Sequence, residues 1–205
     1  DKPEGTRLKV LDIGTGSGCI AVAVAKELDR SDIIAIDISQ KALELAKENA
    51  RINKVDSQIK FHCSDIYQAV KGMKFDLVLS NPPYIPDNDK NVMADVHRHE
   101  PHSALYSGKD GLDAFRKIAD GLDACLAEGG CALFEYGDGF AEKISGLFDK
   151  DIFHSMEIIN GLSGRERIIF ISRSNAMREK DSDSEIVYEL FDEQQQMFED
   201  IEQYA

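Results

Sequence analysis

Short apolar runs alternate along this chain with longer stretches that have a helical period. The apolar runs, each of strand length, are residues 8–13, 33–36, 59–63, 75–80, 131–135, 153–159 and 168–172. Apolar residues recur three or four positions apart at residues 19–28, 39–53, 66–70, 112–127 and 140–148. The alternation predicts an α/β fold: a doubly wound, mostly parallel seven-stranded sheet whose last two strands form an antiparallel hairpin.

A glycine-rich turn joins the first strand to the first helix. Asp12 stands at the end of the strand, and the residues that follow are Gly14-Thr15-Gly16-Ser17-Gly18. Glycines allow a tight turn and let a ligand approach the main-chain N–H groups at the helix start, with no Cβ in the way. A glycine turn alone can be purely structural, but a strand before it and a helix after it favour a nucleotide-type binding site.

Two more acids follow strands. Asp37 comes after residues 33–36, where a carboxylate would accept two hydrogen bonds from a ribose diol. Asp65 comes after residues 59–63; it would accept a hydrogen bond from an adenine amino group, or it would cap a short helix at 66–70. Because parallel strands end at one edge of a sheet, we expect these acids and the glycine turn to share one cleft.

The fourth strand ends at Asn81-Pro82-Pro83-Tyr84. Proline cannot donate to a strand ladder, so the strand stops here and the main chain after it is rigid. The Asn81 amide oxygen and the Pro82 carbonyl could together hold an NH₂ group by two hydrogen bonds. Tyr84 would pack against the acceptor side chain or close the loop against the core. An ordinary strand-ending turn also uses Asn and Pro, so the preceding elements are what favour a site.

Composition limits the classes of function that are expected for this protein. The 205 residues, 42% of them hydrophobic, are enough for one domain with an appendage. The net charge of −14 argues against direct nucleic-acid binding, which depends on Lys and Arg replacing counterions. Without an apolar run near membrane-spanning length, we expect no membrane association and a cytoplasmic protein. The four cysteines lack CxxC spacing and are expected to be buried thiols in a reducing compartment: Cys19, Cys63, Cys125 and Cys131.

A long polar segment at residues 85–110 contains three of the histidines, His97, His99 and His102. A loop of this length is usually functional or disordered. Histidines without a nearby cysteine or a fixed helical spacing are a poor frame for a metal ion. We therefore expect solvated histidines and no metal site.

Taken in order, the motifs resemble those of the HemK/PrmC family of protein-glutamine methyltransferases. Besides the glycine turn, Asp37 and Asn81-Pro82-Pro83-Tyr84, they are Glu100-Pro101-His102-Ser103-Ala104-Leu105, Gly108-Lys109-Asp110-Gly111-Leu112 and Gly161-Leu162-Ser163-Gly164-Arg165-Glu166-Arg167. Adenine-specific DNA methyltransferases share the glycine turn and Asn-Pro-Pro-Tyr, so the Glu-Pro to Asp-Gly-Leu block discriminates. The resemblance covers residues 7–173 and implies a Rossmann-like catalytic domain at 1–173.

The resemblance also implies a cofactor, S-adenosyl-L-methionine, which would leave as S-adenosyl-L-homocysteine. The cofactor residues that it implies are Asp12, Gly14, Gly16, Gly18, Asp37, Asp65, Ile66 and Asn81. The acceptor amide would lie at Asn81, Pro82, Pro83 and Tyr84, with Asn81, Pro82 and Tyr84 as the catalytic set. The implied partner is a peptide chain release factor with a Gly-Gly-Gln loop, methylated by a monomer. A ribosomal-protein glutamine and a nucleic-acid adenine remain alternative acceptors.

Two features depart from the family pattern. Residues 136–140 read Tyr-Gly-Asp-Gly-Phe, where the family often has Ile-Gly and a nearby Gln. The family has a helical domain ahead of the core, whereas the sequence here begins at Asp1, close to the first predicted strand. Residues 174–205 begin Ser-Asn-Ala-Met, which looks like a tag scar followed by a start methionine. We interpret this acidic, helix-patterned segment as a displaced amino-terminal segment; a native carboxyl-terminal helix is the alternative.

Overall fold

Strands and helices alternate in the computed structural model, which describes residues 7–87, 102–161 and 164–173, without the side chains of residues 102 and 103. The strands are β1 Leu8–Ile13, β2 Ser31–Asp37, β3 Ile59–Cys63, β4 Phe75–Ser80, β5 Leu126–Glu135, β6 Ser155–Asn160 and β7 Glu166–Ser172. The helices are α1 Cys19–Glu27, α2 Gln40–Ile52, α3 His102–Leu105, α4 Asp113–Cys125 and α5 Ala141–Ser145. Residues 174–205, His97 and His99 lie outside the described residues.

All seven strands form one sheet, in the order β3-β2-β1-β4-β5-β7-β6. Strands β1 to β5 pair in parallel, whereas β7 runs antiparallel to both β5 and β6. The predicted doubly wound sheet with a late hairpin is therefore confirmed. The strand order reverses between β1 and β4, and open α/β sheets bind ligands at the carboxyl ends of the strands where this reversal occurs.

Helices cover both faces of the sheet, so the central strands are buried on both sides. Helix α1 packs on one face through five small and branched residues: Ile20, Ala21, Val22, Val24 and Ala25. Helix α4 packs on the other face through Phe115, Ile118, Leu122 and Cys125, whose spacing repeats every three or four positions. Burying each large apolar side chain is worth about 1.5–3 kcal/mol, so these two interfaces hold the sheet in place.

The longest predicted helix, residues 112–127, is shorter in the structure, and the strand after it is longer. Helix α4 ends at Cys125 because Leu126 pairs with Phe75 and begins β5, five residues before the predicted start. Leu126 is fully buried in that position. Strand pairing and burial thus override the helical pattern of the sequence.

The predicted short helix at residues 66–70 was wrong. Ile66 has a left-handed φ of 48°, which cannot begin a right-handed helix, and only the 3₁₀ turn Gln68–Val70 forms. The Ser64 hydroxyl accepts the Ala69 N–H at 2.9 Å and the Asp65 main-chain carbonyl accepts the Gln68 N–H at 3.2 Å, so neither bond uses the Asp65 carboxylate. The Asp65 carboxylate instead lies 3.4 Å from the Lys117 Nζ.

The four cysteines were predicted to be buried thiols. All four cysteines are free thiols: Cys125 is buried, Cys19 and Cys131 are partly buried, and Cys63 is exposed at the end of the edge strand β3. The prediction of buried thiols was therefore wrong for Cys63. Within the described ranges, no helix combines the length and the apolar character needed to cross a membrane.

Candidate active site

Strand register brings the predicted site residues to one level of the sheet. Ile13 lies opposite Ile36 on β2 and opposite Ser80 on β4. The residues at or just beyond these strand ends are Gly14, Asp37 and Asn81. Because neighbouring strands lie about 4.8 Å apart, Gly14 and Asn81 begin a single cleft at the point where the strand order reverses.

Asp37 fastens the glycine turn. One carboxylate oxygen accepts the Gly16 N–H at 2.9 Å, and the other accepts the Ser39 N–H at 2.8 Å. A carboxylate offers about four acceptor positions, so Asp37 could still accept hydrogen bonds from a diol. Asp37 therefore organises the turn and keeps capacity for a ligand.

Open space lies in front of the first two glycines of the turn. A Cβ added to Gly14 would meet nothing within 4 Å, and one added to Gly16 would meet only the Gly14 carbonyl at 4.0 Å. Both residues have positive φ. The Gly14 N–H donates to the Ile36 carbonyl at 2.8 Å and the Gly16 N–H donates to Asp37, so what these glycines offer a ligand is open space beside the main chain. This cradle fits a ligand that approaches the main chain closely. Their role in holding a cofactor stays a prediction.

Gly18 has a different environment. A Cβ there would lie 2.9 Å from the Ala46 Cβ on α2, so its absence lets the two helices approach closely. The Asn49 side chain adds to this contact by donating to the Ser17 carbonyl at 2.8 Å. The structure thus gives Gly18 a packing role, and its predicted contact with a cofactor remains a prediction.

Asp12 is a fully buried acid below the turn. Its carboxylate accepts the Thr15 hydroxyl at 2.5 Å. Burial, with a smaller contribution from the nearby Asp37 carboxylate, raises the pKa of Asp12 from 3.8 to about 7 despite the lowering effect of the Thr15 hydrogen bond. Near neutral pH the group is therefore balanced between its two protonation states. A cationic ligand in the cleft would favour the carboxylate.

Asn81 projects from the end of β4 with its acceptor capacity available. The residue before it, the buried Ser80, donates its hydroxyl to the Ile13 carbonyl at 2.7 Å and so ties the ends of β4 and β1 together. The Asn81 side chain is half-buried. Among the hydrogen bonds of residues 7–87, 102–161 and 164–173, none uses its amide. The amide oxygen is thus poised to accept from an incoming group.

The block that discriminates the family holds the end of the Asn-Pro-Pro-Tyr segment. Ile85 donates to the Leu105 carbonyl and accepts from the Ser107 N–H, both at 2.9 Å, in a parallel bridge with Tyr106. The Asp87 N–H continues the pairing by donating to the Gly108 carbonyl at 2.9 Å. Residues 102–112 therefore support the segment that follows Asn81.

The Asp-Gly-Leu part of this block is held in place by contacts of its own. The Asp110 carboxylate pairs with the Arg116 guanidinium, whose hydrogen bonds hold the pKa of Asp110 down at about 2. At Gly111, an added Cβ would lie 2.3 Å from the Tyr84 carbonyl oxygen. Only glycine fits against Tyr84 there, which explains the motif in terms of the acceptor segment.

The residues of the predicted adenine subsite follow β3. Asp65 is partly exposed beside Lys117, and Ile66 has a left-handed φ of 48°. Ile38, directly after Asp37, is 67% exposed, an unusual position for an apolar side chain. The adenine role of Asp65 and Ile66 stays a prediction.

Sequence reasoning missed other residues. Thr15 and Ser80 each bond to a residue at a strand end, and both were visible as hydroxyl residues flanking the motifs. Gly111 and Gly137 gave no such signal, because the residue they contact, Tyr84, is distant in sequence. Within the described residues, no three His, Cys, Asp or Glu side chains come together as metal ligands would.

Comparison with known proteins agrees with this geometry. Residues 2–102 match the family described as Methyltransferase small domain. The chain is 36% identical over 168 residues to a release factor glutamine methyltransferase of Bacillus anthracis, covering 80% of this chain and 59% of that one. It is 42% identical over 161 residues to the release factor glutamine methyltransferase of Cereibacter sphaeroides, covering 78% and 58%. The chain is therefore similar, over about four fifths of its length, to release factor glutamine methyltransferases.

The likeness extends to the three-dimensional structure. The crystal structure of a ribosomal protein L11 methylase from Lactobacillus delbrueckii subsp. bulgaricus superimposes with a TM-score of 0.60 and 25% identity, over 83% of this chain and 72% of that one. The sequence-based prediction of the HemK/PrmC family is confirmed, as is its methyltransferase fold. The chain spans less than two thirds of the curated relatives that it matches.

Proposed function

We propose that this chain methylates the side-chain amide nitrogen of a glutamine in a peptide chain release factor, with S-adenosylmethionine as the methyl donor. The observation that carries the proposal is the position of Asn81. Its amide makes no hydrogen bond within the described residues, and it lies one strand away from the open glycine cradle. An acceptor held by Asn81 would thus lie beside whatever the cradle holds.

The residues at the cleft fit the proposed cofactor. Asp37 would accept hydrogen bonds from the ribose, the Gly14 and Gly16 main chain would face the amino-acid part, and Asp65 with Ile66 would border the adenine. When bound, S-adenosylmethionine supplies an electrophilic methyl group on a positively charged sulfur. The carboxylates of Asp12 and Asp37 give the cleft the negative charge that such a cation requires.

The acceptor chemistry explains why an asparagine followed by prolines is used. An amide nitrogen is a poor nucleophile, because its lone pair is delocalised into the carbonyl. The Asn81 Oδ1 and the Pro82 carbonyl both accept hydrogen bonds, so they can hold the two N–H groups of a glutamine and stabilise the positive charge that develops on nitrogen. The prolines keep these two acceptors at a fixed separation, so little order must be created on binding.

A protein acceptor is favoured over a nucleic acid. The net charge of −14 opposes the phosphate contacts on which nucleic-acid binding depends. The names of the curated relatives support a release factor. Since release factors work on the ribosome, we place the reaction in the cytoplasm, and we expect the chain to act as a monomer.

The decisive experiment is the substitution of Asn81. We expect Asn81→Ala to leave S-adenosylmethionine binding within about twofold, while methyl transfer to a purified release factor falls about 100-fold, because the lost contact acts on the reacting nitrogen. The matched control is Asn160→Ala, at an exposed position on the edge strand β6. Asn81→Asp tests the point more finely, because it keeps the shape but places a charge beside the acceptor.

Mass spectrometry of the products identifies the acceptor. We expect a gain of one methyl group on the glutamine of the Gly-Gly-Gln loop. A ribosomal protein and an adenine-containing oligonucleotide serve as rival acceptors in parallel reactions. Methylation of either rival in preference to the release factor, or wild-type activity in Asn81→Ala, would overturn the proposal.

A further inference from the structure

Gly137, two residues beyond the end of β5, lies directly against the ring of Tyr84. A Cβ added to Gly137 would be 2.7 Å from both the Cδ2 and the Cε2 of that ring, where ordinary contacts are 3.4–4 Å. The Gly137 φ lies outside the left-handed region, so its backbone would accept any L-residue. The Tyr84 ring is therefore the feature of the structure that requires a glycine here.

We infer that Gly137 is a positioning residue for the acceptor: by omitting a side chain, it sets where the Tyr84 ring lies and hence the width of the slot through which the acceptor amide reaches Asn81. This inference rests on the proposed function. Tyr84 follows Asn81 by three residues across two prolines, whereas the glycine turn follows β1. A shift of the Tyr84 ring is therefore expected to change the acceptor side of the cleft and to leave the glycine cradle in place.

The turn that carries Gly137 is anchored and would not yield to an added methyl group. The Tyr136 N–H donates to the Arg167 carbonyl at 2.8 Å. The Asp138 carboxylate pairs with Arg165 at 3.2 Å and with Arg167 at 3.1 Å. Hydrogen bonds and ion pairs on both sides of Gly137 thus fix this turn against the start of β7.

The main chain of Tyr84 is equally constrained. Its carbonyl oxygen lies where a Cβ of Gly111 would be, and the next residue, Ile85, pairs with Leu105 and Ser107. Phe140, at the end of the same turn, lies 3.3 Å from that Gly111 Cβ position, which closes the packing on this side. Because both backbones are held, the Tyr84 side chain is the part that must give way. An added methyl group at position 137 therefore moves the ring.

The test compares Gly137→Ala with a matched glycine variant. Gly146 also has an ordinary backbone conformation (φ −71°), and its added Cβ would meet nothing closer than 3.4 Å, so Gly146→Ala is the control. We expect Gly137→Ala to lower kcat/KM for the release factor about 10-fold or more, as misplacement of a contact group does. The dissociation constant of S-adenosylmethionine should stay within about twofold of wild type.

A double variant separates positioning from general damage. In a Tyr84→Ala background there is no ring to displace, so adding Gly137→Ala should change kcat/KM by less than about twofold. An equal loss in both backgrounds, or unchanged kcat/KM for Gly137→Ala alone, contradicts the inference.

A crystal structure of Gly137→Ala decides the point without any acceptor. It should show the Tyr84 ring rotated away from its wild-type position, with the turn at residues 136–140 in place; an unmoved ring defeats the inference. If the wild-type chain methylated no release factor, the proposed function would fail, whereas this structural comparison would still report on Gly137 and Tyr84.

Discussion

The Ser80 hydroxyl donates a 2.7 Å hydrogen bond to the Ile13 carbonyl, joining the last residues of β4 and β1. Gly14 follows one of these residues and Asn81 follows the other. This buried contact adds to the parallel pairing of β1 and β4 in setting the distance between the glycine turn and the acceptor asparagine. The site depends on this contact as well as on the side chains that touch ligands.

Ser80→Ala tests this dependence. Losing the donor leaves a buried carbonyl with one partner fewer, which typically costs about 1–2 kcal/mol. We expect a lower melting temperature and a several-fold loss of methyl transfer, because Asn81 and the cradle are no longer held together. Ser145→Ala, which removes a 2.8 Å hydroxyl-to-carbonyl bond within α5, is the control and should affect stability alone. Equal loss of methyl transfer in both variants would contradict the expectation.

Asp37→Asn should weaken cofactor binding by more than the loss of one hydrogen bond to the ribose would, because Asp37 also stabilises the glycine turn. The carboxylate accepts the N–H groups of Gly16 and Ser39 with separate oxygens, and an asparagine retains only one acceptor. We expect a loss on the order of 1.5–3 kcal/mol in S-adenosylmethionine affinity, measured by calorimetry. Asp32→Asn, on the same strand and paired with Arg7 at the opposite end, should leave the affinity unchanged. Unchanged binding in Asp37→Asn would rule out its assignment.

The raised pKa of Asp12 predicts that the free energy of unfolding depends on pH. Its folded-state pKa of about 7 lies above the ordinary value of 3.8, so the folded form binds the proton more tightly than the unfolded form. The associated stability is fully present below pH 3.8 and is lost as the pH rises toward 7, by roughly 4 kcal/mol in total. Asp12→Asn can keep the Thr15 hydrogen bond and should remove this component. Urea denaturation of both proteins at pH 5 and pH 8 checks the expectation.

The same group links pH to cofactor binding. A cation in the cleft favours the ionised Asp12, so the affinity of the wild-type chain for S-adenosylmethionine should rise between pH 6 and pH 8. In Asp12→Asn this rise should be reduced. Equal slopes in the two proteins would show that another group controls the dependence.

Gly18→Ala separates packing from cofactor contact. The variant must place an L-residue at a φ of +85° and bring its Cβ to 2.9 Å from that of Ala46, so we expect about 2–3 kcal/mol of destabilisation. Gly129→Ala has a similar φ of +72° with nothing within 4 Å, and it isolates the backbone component. Adding Ala46→Gly should recover part of the loss beyond additivity. A stable Gly18→Ala that no longer binds cofactor would reverse the assignment.

The sequence predicted best what is locally determined. Strands β1, β3 and β4 have the predicted bounds, because each is an apolar run ended by a turn residue. Ser39, a typical cap residue at the start of the predicted helix 39–53, caps α2 by accepting from the Ala42 N–H at 3.2 Å. The errors arose where distant residues decide: Leu126 leaves its helix because Phe75 pairs with it.

The residues of the candidate site also fall into two groups: those predictable from local sequence and those that depend on contacts between distant residues. Gly14, Asp37 and Asn81 could be placed together from sequence, because strand ends in a parallel sheet share one edge. The requirement for glycine at 111 and 137 could not, since it arises from one aromatic residue reached only by folding. The residues predicted to contact ligands could be found from sequence because they stand at strand ends. The residues that shape the slot could not, because their role depends on tertiary contacts.

The bridge between Ile85 and Tyr106 has a consequence for sequence variation. Its hydrogen bonds, from the Ile85 N–H to the Leu105 carbonyl and from the Ser107 N–H to the Ile85 carbonyl, join main-chain atoms only. Exchange of these side chains therefore leaves the pairing intact, whereas a proline at position 85 or 107 would remove one of its two donors. The support of the Asn-Pro-Pro-Tyr segment thus tolerates a change of side chain here but not the loss of a main-chain N–H.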